Sequence, residues 1–193
     1  MKASDSHYHL NENLSLDENY KLVMKLKLSL ELNIIYLIHL QTSKFNFEDV
    51  YSKFSKISNL KLILHVNPLI DYKLNARELG MISGIKLHPR IDKYSLSNPL
   101  VSELLSKLTG KNLFVITCTF WDGTWQNYGL SETDFFQLAN KFPSINFIWA
   151  HSGGIKCLDF MLMAKNCPNV FLDLSFTQHY FPKEIIGNQL IFI

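Results

Sequence analysis

Short apolar segments rich in β-branched and aromatic residues recur along the 193-residue chain, separated by polar stretches. Segments of about four to eight such residues are typical of buried strands. They predict eight strands, at residues 2–7, 33–39, 60–66, 84–88, 113–119, 145–150, 170–174 and 189–193.

Segments with helical periodicity lie between several of these strands. Helix start signals are a polar N-cap followed by an acidic residue, or a proline at the first helical position. They predict helices that open at Ser15 to Glu18, at Asn98-Pro99, at residues 131–134 and after Gly154. The second of these ends at Gly110, and the last presents an apolar face made of Ile155, Leu158, Met161 and Leu162.

Strands that alternate with helices indicate βαβ units and a parallel sheet covered by helices. Eight units predict a (β/α)8 barrel of the TIM type, which typically has about 250 residues. The last predicted strand, 189–193, reaches the end of the sequence with no helix after it. We therefore expect one domain over residues 1–193, a barrel that is truncated at its C-terminal end and lacks the final helix.

Composition excludes several classes of protein. The chain is 47% hydrophobic and 13% aromatic, which is too apolar for a disordered protein. The net charge of +2 and the scattered lysines do not favour nucleic-acid binding. No apolar run is long enough for a membrane span or a signal peptide, and three cysteines without a CxxC pair fit a reducing compartment. We expect a cytoplasmic protein with a small-molecule substrate, with no nucleic-acid or membrane partner, and with homo-oligomerisation as an open alternative.

Asp5, His7 and His9 are two residues apart on the first predicted strand, so their side chains point to the same face. Neutral imidazole is a good ligand for zinc and related ions, and a neighbouring carboxylate can orient the ring. Because active sites of TIM barrels lie at the carboxyl ends of the strands, His7 and His9 are candidate metal ligands, with Asp5 in support. The alternative is a pair of surface histidines without a ligand.

Lys86 and His88 alternate with Ile85 and Leu87 on the fourth predicted strand. If the apolar pair faces the helices, Lys86 and His88 point into the barrel, where an ammonium group needs a partner. Lys86 is therefore a candidate catalytic residue. The alternatives are a register shifted by one residue, or a lysine that reaches solvent at the strand end.

His151 follows the apolar sixth strand and precedes the pair Gly153-Gly154. The glycines allow a tight turn into a helix at the carboxyl end of the strand. His151 is a candidate catalytic residue, and a histidine that only caps the helix is the alternative. Asp122, in the loop 121–125 after the fifth strand, is a candidate for substrate contact, and an ordinary packed aromatic loop is the alternative. His39 and His65 are expected in the core, and His179 in a loop.

Four segments taken in order resemble the amidohydrolase superfamily. They are residues 5–9, residues 84–89, residues 142–144 leading into the His-Ser-Gly-Gly turn of 150–154, and residues 169–175. The similarity covers nearly the whole chain, and the branch it most resembles includes the aminocarboxymuconate-semialdehyde decarboxylase type enzymes. The resemblance implies a metal-dependent (β/α)8 barrel in which His7 and His9 bind a divalent ion, with zinc as the expected metal. His151 would then assist the metal-bound water or the substrate.

Two positions depart from the family pattern. The family has a ligand histidine at the end of the fifth strand, where this chain has Cys118, and an aspartate after the eighth strand, where the sequence ends at Ile193. Cys118, or His88 from the neighbouring strand, are the candidates to replace the histidine. Catalytic zinc sites use three protein ligands, so two histidines alone should bind a metal weakly.

The function that the resemblance implies is metal-dependent hydrolysis of an amide, ester or lactone bond in a small organic substrate through a metal-activated water. Lys86 or His151 would hold developing negative charge or a substrate carboxylate. A non-oxidative decarboxylase of the same superfamily and a catalytically inactive truncated member are the alternatives. A phosphoesterase of another histidine-rich barrel family would need further histidine and aspartate ligands, which the sequence does not show in a comparable pattern.

Overall fold

The structure is a computed structural model that describes residues 5–70 and 74–177. Its strands are β1 (Asp5–His9), β2 (Ile35–His39), β3 (Leu60–His65), β4 (Gly84–Leu87), β5 (Phe114–Cys118), β6 (Asn146–Ala150) and β7 (Val170–Leu172). Its helices are α1 (Leu16–Ser29), α2 (Phe47–Phe54), α3 (Ala76–Met81), α4 (Pro89–Asp92), α5 (Pro99–Leu108), α6 (Glu132–Lys141) and α7 (Cys157–Ala164).

The seven strands form one sheet in chain order, from β1 to β7. Neighbouring strands pair in parallel, as where His39 of β2 lies opposite Leu64 of β3, or Cys118 of β5 opposite Ala150 of β6. At least one helix lies in the chain between each strand and the next. The prediction of a (β/α)8 barrel of the TIM type is thereby confirmed through its seventh strand. The predicted strand 189–193 lies outside the described residues. The predicted lack of a final helix and the prediction of a single domain stay predictions.

Polar caps decide where most helices begin. Ser15 and Glu18 form the predicted capping box of α1, in which the Glu18 backbone N–H donates to Ser15 Oγ and the Ser15 backbone N–H donates to Glu18 Oε2 at 2.8 Å. Asn98 caps α5 ahead of Pro99, and Ser131 precedes α6, so these two starts are also confirmed. The sequence analysis missed α2, although Asn46 caps it by accepting from the N–H groups of Glu48 and Asp49.

The first strand is placed differently from the prediction. It extends to His9, whereas the predicted strand ended at His7. Because β1 continues beside β2, where Tyr8 pairs with Leu37 and His9 with Ile38, both histidines belong to the strand itself. A bulge or irregularity between Asp5 and Tyr8 interrupts the register, so strict alternation does not hold along the whole strand.

The described chain divides into two compact units, residues 5–66 with 74–86, and residues 67–70 with 87–177. The core of the first unit is mostly aliphatic. It collects apolar side chains from β2, β3, α1, α2 and the loops beside them, namely Leu10, Val23, Leu32, Ile35, Leu37, Val50, Phe54, Ile57 and Leu62. Burial of this surface, at roughly 25 cal/mol per Å², is the main force that holds α1 and α2 on the sheet.

The core of the second unit is aromatic. Trp125, Phe135, Trp149 and Phe160 pack with ring centroids 5.2 to 6.5 Å apart, mostly edge to face. Trp125, at the end of the loop 121–125, is thus a core residue and not part of a pocket lining. Asn169 ties the segment before β7 to α6 and its C-terminal loop, because its Nδ2 donates to the carbonyls of Ala139, Phe142 and Ile145.

The predicted apolar face of α7 is wrong in three of its four positions. Ile155, Leu158 and Leu162 are 54%, 47% and 62% exposed, and only Met161 of the predicted set is buried. The buried side chains of this helix are Cys157, Phe160 and Met161, because the aromatic core draws Phe160 inward and rotates the helix accordingly. Helical spacing alone could not separate these two faces, since α7 is apolar on most of its circumference.

Candidate functional site

In the first unit, β1 and β4 bring three predicted site residues together. The rings of His7 and His9 lie 5.0 Å apart between centroids, and Lys86 Nζ lies 2.5 Å from His7 Nε2. The Lys86 side chain is fully buried although it carries a charge-bearing amine. Burial of such a group is costly without partners, and His7 supplies one of them. Asp5 begins the same strand.

The Lys86 contact limits the hydrogen-bonding role of His7. If the Lys86 amine is protonated it can only donate, so Nε2 of His7 then accepts and the proton of the neutral ring lies on Nδ1. A divalent ion that binds Nε2 must displace the lysine.

In the second unit, β6 delivers His151 into a strained turn. His151, Ser152, Gly153 and Gly154 all have positive φ, with values of 70°, 42°, 79° and 59°. Non-glycine residues in this region cost of order 1–3 kcal/mol each and persist only where the surroundings hold them. Three side-chain hydrogen bonds do so here: Thr119 Oγ1 accepts from Gly153 N, Ser152 Oγ donates to Asp173 O, and Thr177 Oγ1 donates to His151 O.

A chain of hydrogen bonds leads from His151 to the carboxylate after β7. His151 Nδ1 lies 2.9 Å from Ser175 Oγ and 3.1 Å from the Ser175 carbonyl oxygen. Ser175 Oγ in turn donates to Asp173 Oδ2 at 2.9 Å, and the Ser175 backbone N–H donates to Asp173 Oδ1 at 2.8 Å. The carboxylate is thereby fixed by two donors from one residue.

In the second unit, His151 and Asp173 could each give a ligand atom to a divalent metal ion. One ring nitrogen of His151 lies within 4.8 Å of one carboxylate oxygen of Asp173. His151 is buried and Asp173 is half-buried. Imidazole and carboxylate are donors in catalytic sites of zinc and similar first-row ions, which use three protein ligands, so this pair supplies two donors of the kind that such a site needs.

Sequence reasoning did not include Asp173 among the site residues. The residue belongs to the segment 169–175 that carries the family resemblance, and it comes directly after β7, where the carboxyl ends of barrel strands meet. Its position directly after β7 was the feature of the sequence that could have identified Asp173 as a site residue. His9 and Lys86, which were both predicted as site residues, lie beside His7 in the first unit.

The remaining predicted residues have other contacts. His88 is the N-cap of α4 and accepts from Ile91 N through Nδ1. Cys118 is fully buried at the end of β5 beside Arg90. Burial opposes the ionisation of Asp122, but hydrogen bonds from Thr124 and the ion pair with Arg90 at 3.1 Å hold its pKa below its usual value.

His39 and His65 are buried at 6% and 5% exposure, as expected for core residues. His39 packs against Phe47 with ring centroids 5.5 Å apart, and its Nδ1 has no hydrogen-bond partner within the described part of the chain. Burial lowers the pKa of His39, and the Glu12 carboxylate offsets part of that effect.

This lowered pKa predicts a loss of stability in mild acid. Above the unfolded value of about 6.5 both states are neutral at this ring, so it has no effect. As the pH falls below that value, the unfolded chain takes up a proton that the buried ring resists, and stability drops by up to about 1.4 kcal/mol per pH unit until the folded pKa is reached. Urea midpoints measured from pH 8 to 5 should show a weaker acid loss in His39→Gln than in the wild type. Parallel curves would contradict the assignment to His39.

Comparisons with known proteins support the fold. No protein-family model and no curated protein matches the chain. An uncharacterized TIM-barrel protein from Bordetella bronchiseptica superposes with a TM-score of 0.69 at 13% identity, over 90% of this chain and 66% of that one. A probable 2-pyrone-4,6-dicarboxylic acid hydrolase from Acinetobacter baumannii, solved with citric acid bound, gives 0.61 at 13% identity, over 98% and 80%. The chain thus has the TIM-barrel fold and spans just under two thirds of the first of these proteins.

Proposed function

We propose that this chain is a metal-dependent hydrolase of the amidohydrolase type, acting on an amide, ester or lactone bond of a small organic substrate. The observation that carries the proposal is the presence of ligand donors in each unit, His7 beside His9 in the first and His151 with Asp173 in the second. The fold shared with a probable hydrolase of 2-pyrone-4,6-dicarboxylic acid supports it. Zinc is the ion that we propose, because the donor set contains two imidazoles.

The bound ion would supply a water molecule with a pKa lowered toward 7 and would polarise the bond under attack. The side chains of the chain do the remaining work. Ser175 orients the His151 ring so that its Nε2 can bind the ion, and Lys86 provides positive charge for a substrate carboxylate or a developing oxyanion. Arg90, whose guanidinium lies 5.3 Å from the centroid of the Phe120 ring, fixes Asp122 in the loop after β5.

The sequence departs from the family pattern at two ligand positions, and Asp173 is a candidate ligand in their place. The family places a histidine after the fifth strand and an aspartate after the eighth, and this chain has Cys118 at the first position. In our proposal Asp173, directly after the seventh strand, supplies the carboxylate ligand. A non-oxidative decarboxylase that uses the same residues is the second candidate, and an inactive truncated member is the third.

The metal content of the purified chain tests the proposal. After dialysis without chelator, plasma mass spectrometry should give about one zinc, or another first-row ion, per chain. His7→Ala and Asp173→Asn should each lower that ratio severalfold, since removal of a ligand leaves an incomplete set. Asp159→Asn is the matched control, because Asp159 is an exposed carboxylate on α7 and is not a candidate ligand.

Two results would contradict the proposal. One is a ratio near zero in folded wild-type chain, which would favour the inactive member. The other is equal metal content in His7→Ala, Asp173→Asn and the control, which would place the ion elsewhere. If the ratio is near one, product analysis on carboxylated amides, esters and lactones distinguishes hydrolysis from release of carbon dioxide.

The environment of the protein is also part of the proposal. No helix within residues 5–70 and 74–177 is long and apolar enough to cross a membrane. We propose a cytoplasmic enzyme with a small-molecule substrate and with no nucleic-acid or membrane partner. Self-association is tested by light scattering of the full chain.

A further inference from the structure

We propose that Ser175, held by Asp173, is a positioning residue that fixes the tautomer of His151, with the proton on Nδ1 and the lone pair on Nε2. The identity of the group that Nε2 binds depends on the proposed function. The position of the ring proton does not depend on it. The inference depends on four atoms of the second unit, His151 Nδ1, the Ser175 hydroxyl and carbonyl oxygens, and Asp173 Oδ2.

The direction of the hydrogen bonds starts at the carboxylate. An ionised carboxylate only accepts, and a serine hydroxyl has one proton to donate. Ser175 Oγ lies 2.9 Å from Asp173 Oδ2 and therefore donates its proton to that oxygen. Towards His151 Nδ1, also at 2.9 Å, the same oxygen can only accept. Nδ1 must then be the donor.

The backbone requires the same direction independently. His151 Nδ1 lies 3.1 Å from the Ser175 carbonyl oxygen, and a carbonyl oxygen has no proton to give. Both neighbours of Nδ1 are thus acceptors. A neutral imidazole has one N–H, so its second nitrogen, Nε2, keeps the lone pair. If His151 binds a metal or takes a proton, it does so through Nε2.

The ring is also held against a flip that would reverse this assignment. Phe120 and Phe176 approach its edges at centroid distances of 5.8 and 5.3 Å with interplanar angles of 90° and 72°. The backbone of His151 is fixed by Thr177, whose hydroxyl donates to its carbonyl. A flipped ring would place a carbon against two acceptors that then lose their donor, which costs about 1–3 kcal/mol for a buried polar group.

Nitrogen NMR of the full chain tests the tautomer directly. The protein is labelled with 15N-histidine, freed of metal by chelator, and held near pH 8.5, where an ordinary histidine is neutral. The His151 signals are identified as those missing from His151→Gln. We expect Nδ1 at the shift of a protonated ring nitrogen and Nε2 at that of an unprotonated one.

The variants separate positioning from simple packing. Ser175→Ala removes the hydroxyl and leaves only the weaker backbone acceptor, so the two nitrogen shifts should move toward each other as the second tautomer becomes populated. Ser175→Thr keeps a hydroxyl and should restore the wild-type shifts. Ser106→Ala is the control, since its exposed hydroxyl donates only to the Ser102 carbonyl.

A protonated Nε2 in the wild type overturns the inference, as do identical His151 shifts in Ser175→Ala and the wild type. Because the spectra are recorded without metal, they report the tautomer of His151 even if the proposed function is wrong. A chain that binds no metal but shows the Nδ1–H tautomer refutes the hydrolase and supports the role of Ser175. A chain that binds metal but carries the proton of His151 on Nε2 supports the hydrolase and refutes the role of Ser175.

Discussion

Gly153→Ala is expected to destabilise the chain by about 2–5 kcal/mol, the sum of a left-handed backbone penalty of about 1–2 kcal/mol and an overpacking cost of about 1–3 kcal/mol. A Cβ at this position would lie 2.2 Å from Phe160 Cδ2 and 2.8 Å from Cε2. Phe160 is fully buried and is packed against Trp125, Phe135 and Trp149, so it has no room to withdraw. Urea or thermal unfolding measures the loss.

Two glycines provide matched controls for this variant. Gly110 has φ of 77°, close to the 79° of Gly153, but a Cβ there meets nothing within 4 Å, so Gly110→Ala reports the backbone penalty alone. Gly80 lies in α3 with open space and no positive φ, and its alanine variant should gain up to about 1 kcal/mol in helix propensity. If Gly153→Ala and Gly110→Ala lose the same amount, the close packing of the turn on Phe160 has no energetic role.

Lys86→Met is expected to tighten metal binding about tenfold or more, which corresponds to about 1.4 kcal/mol. In the wild type the Lys86 amine lies 2.5 Å from His7 Nε2 and must be displaced by the ion, and in its protonated form it also repels the charge of the ion. Methionine fills a similar volume without charge, and replacement of a buried charged group by an apolar one is often neutral for stability. Competition with a metal-binding dye measures the affinity, and hydrolysis should fall in the same variant because its positive charge is lost.

Lys107→Met is the control for a general charge effect, because Lys107 is exposed on α5 and pairs with Glu103 at 2.7 Å. It should leave the metal affinity unchanged. Weaker metal binding in Lys86→Met would contradict the competition between lysine and metal, and would show instead that the lysine supports the ion.

Much of the fold follows from local sequence. Ser15 with Glu18, Asn98 before Pro99, and Ser131 with Asp134 each place a helix start, because a cap is a contact between residues three or fewer apart. Strand cores are equally local, since an apolar run remains apolar in any register. The exact end of β1 was not predictable, because pairing of His9 with Ile38 of β2 decides it.

The candidate site was predictable only in part. His7 and His151 stand out by their neighbours in the sequence, a second histidine and a glycine pair. Asp173 does not stand out in that way, since an aspartate after a short apolar run is common on protein surfaces. Its role depends on Ser175, which holds both carboxylate oxygens, and on His151, which is distant along the chain.

Taken by itself, the amino-acid sequence determined the alternation of strands and helices, the helix caps and the histidines at the strand ends, because each of these depends on residues close together in the chain. The tertiary structure alone decided which face of α7 is buried, that Lys86 contacts His7, and that Ser175 joins His151 to Asp173. Those features depend on packing and hydrogen bonds between residues far apart in the sequence, whose energies no local pattern records.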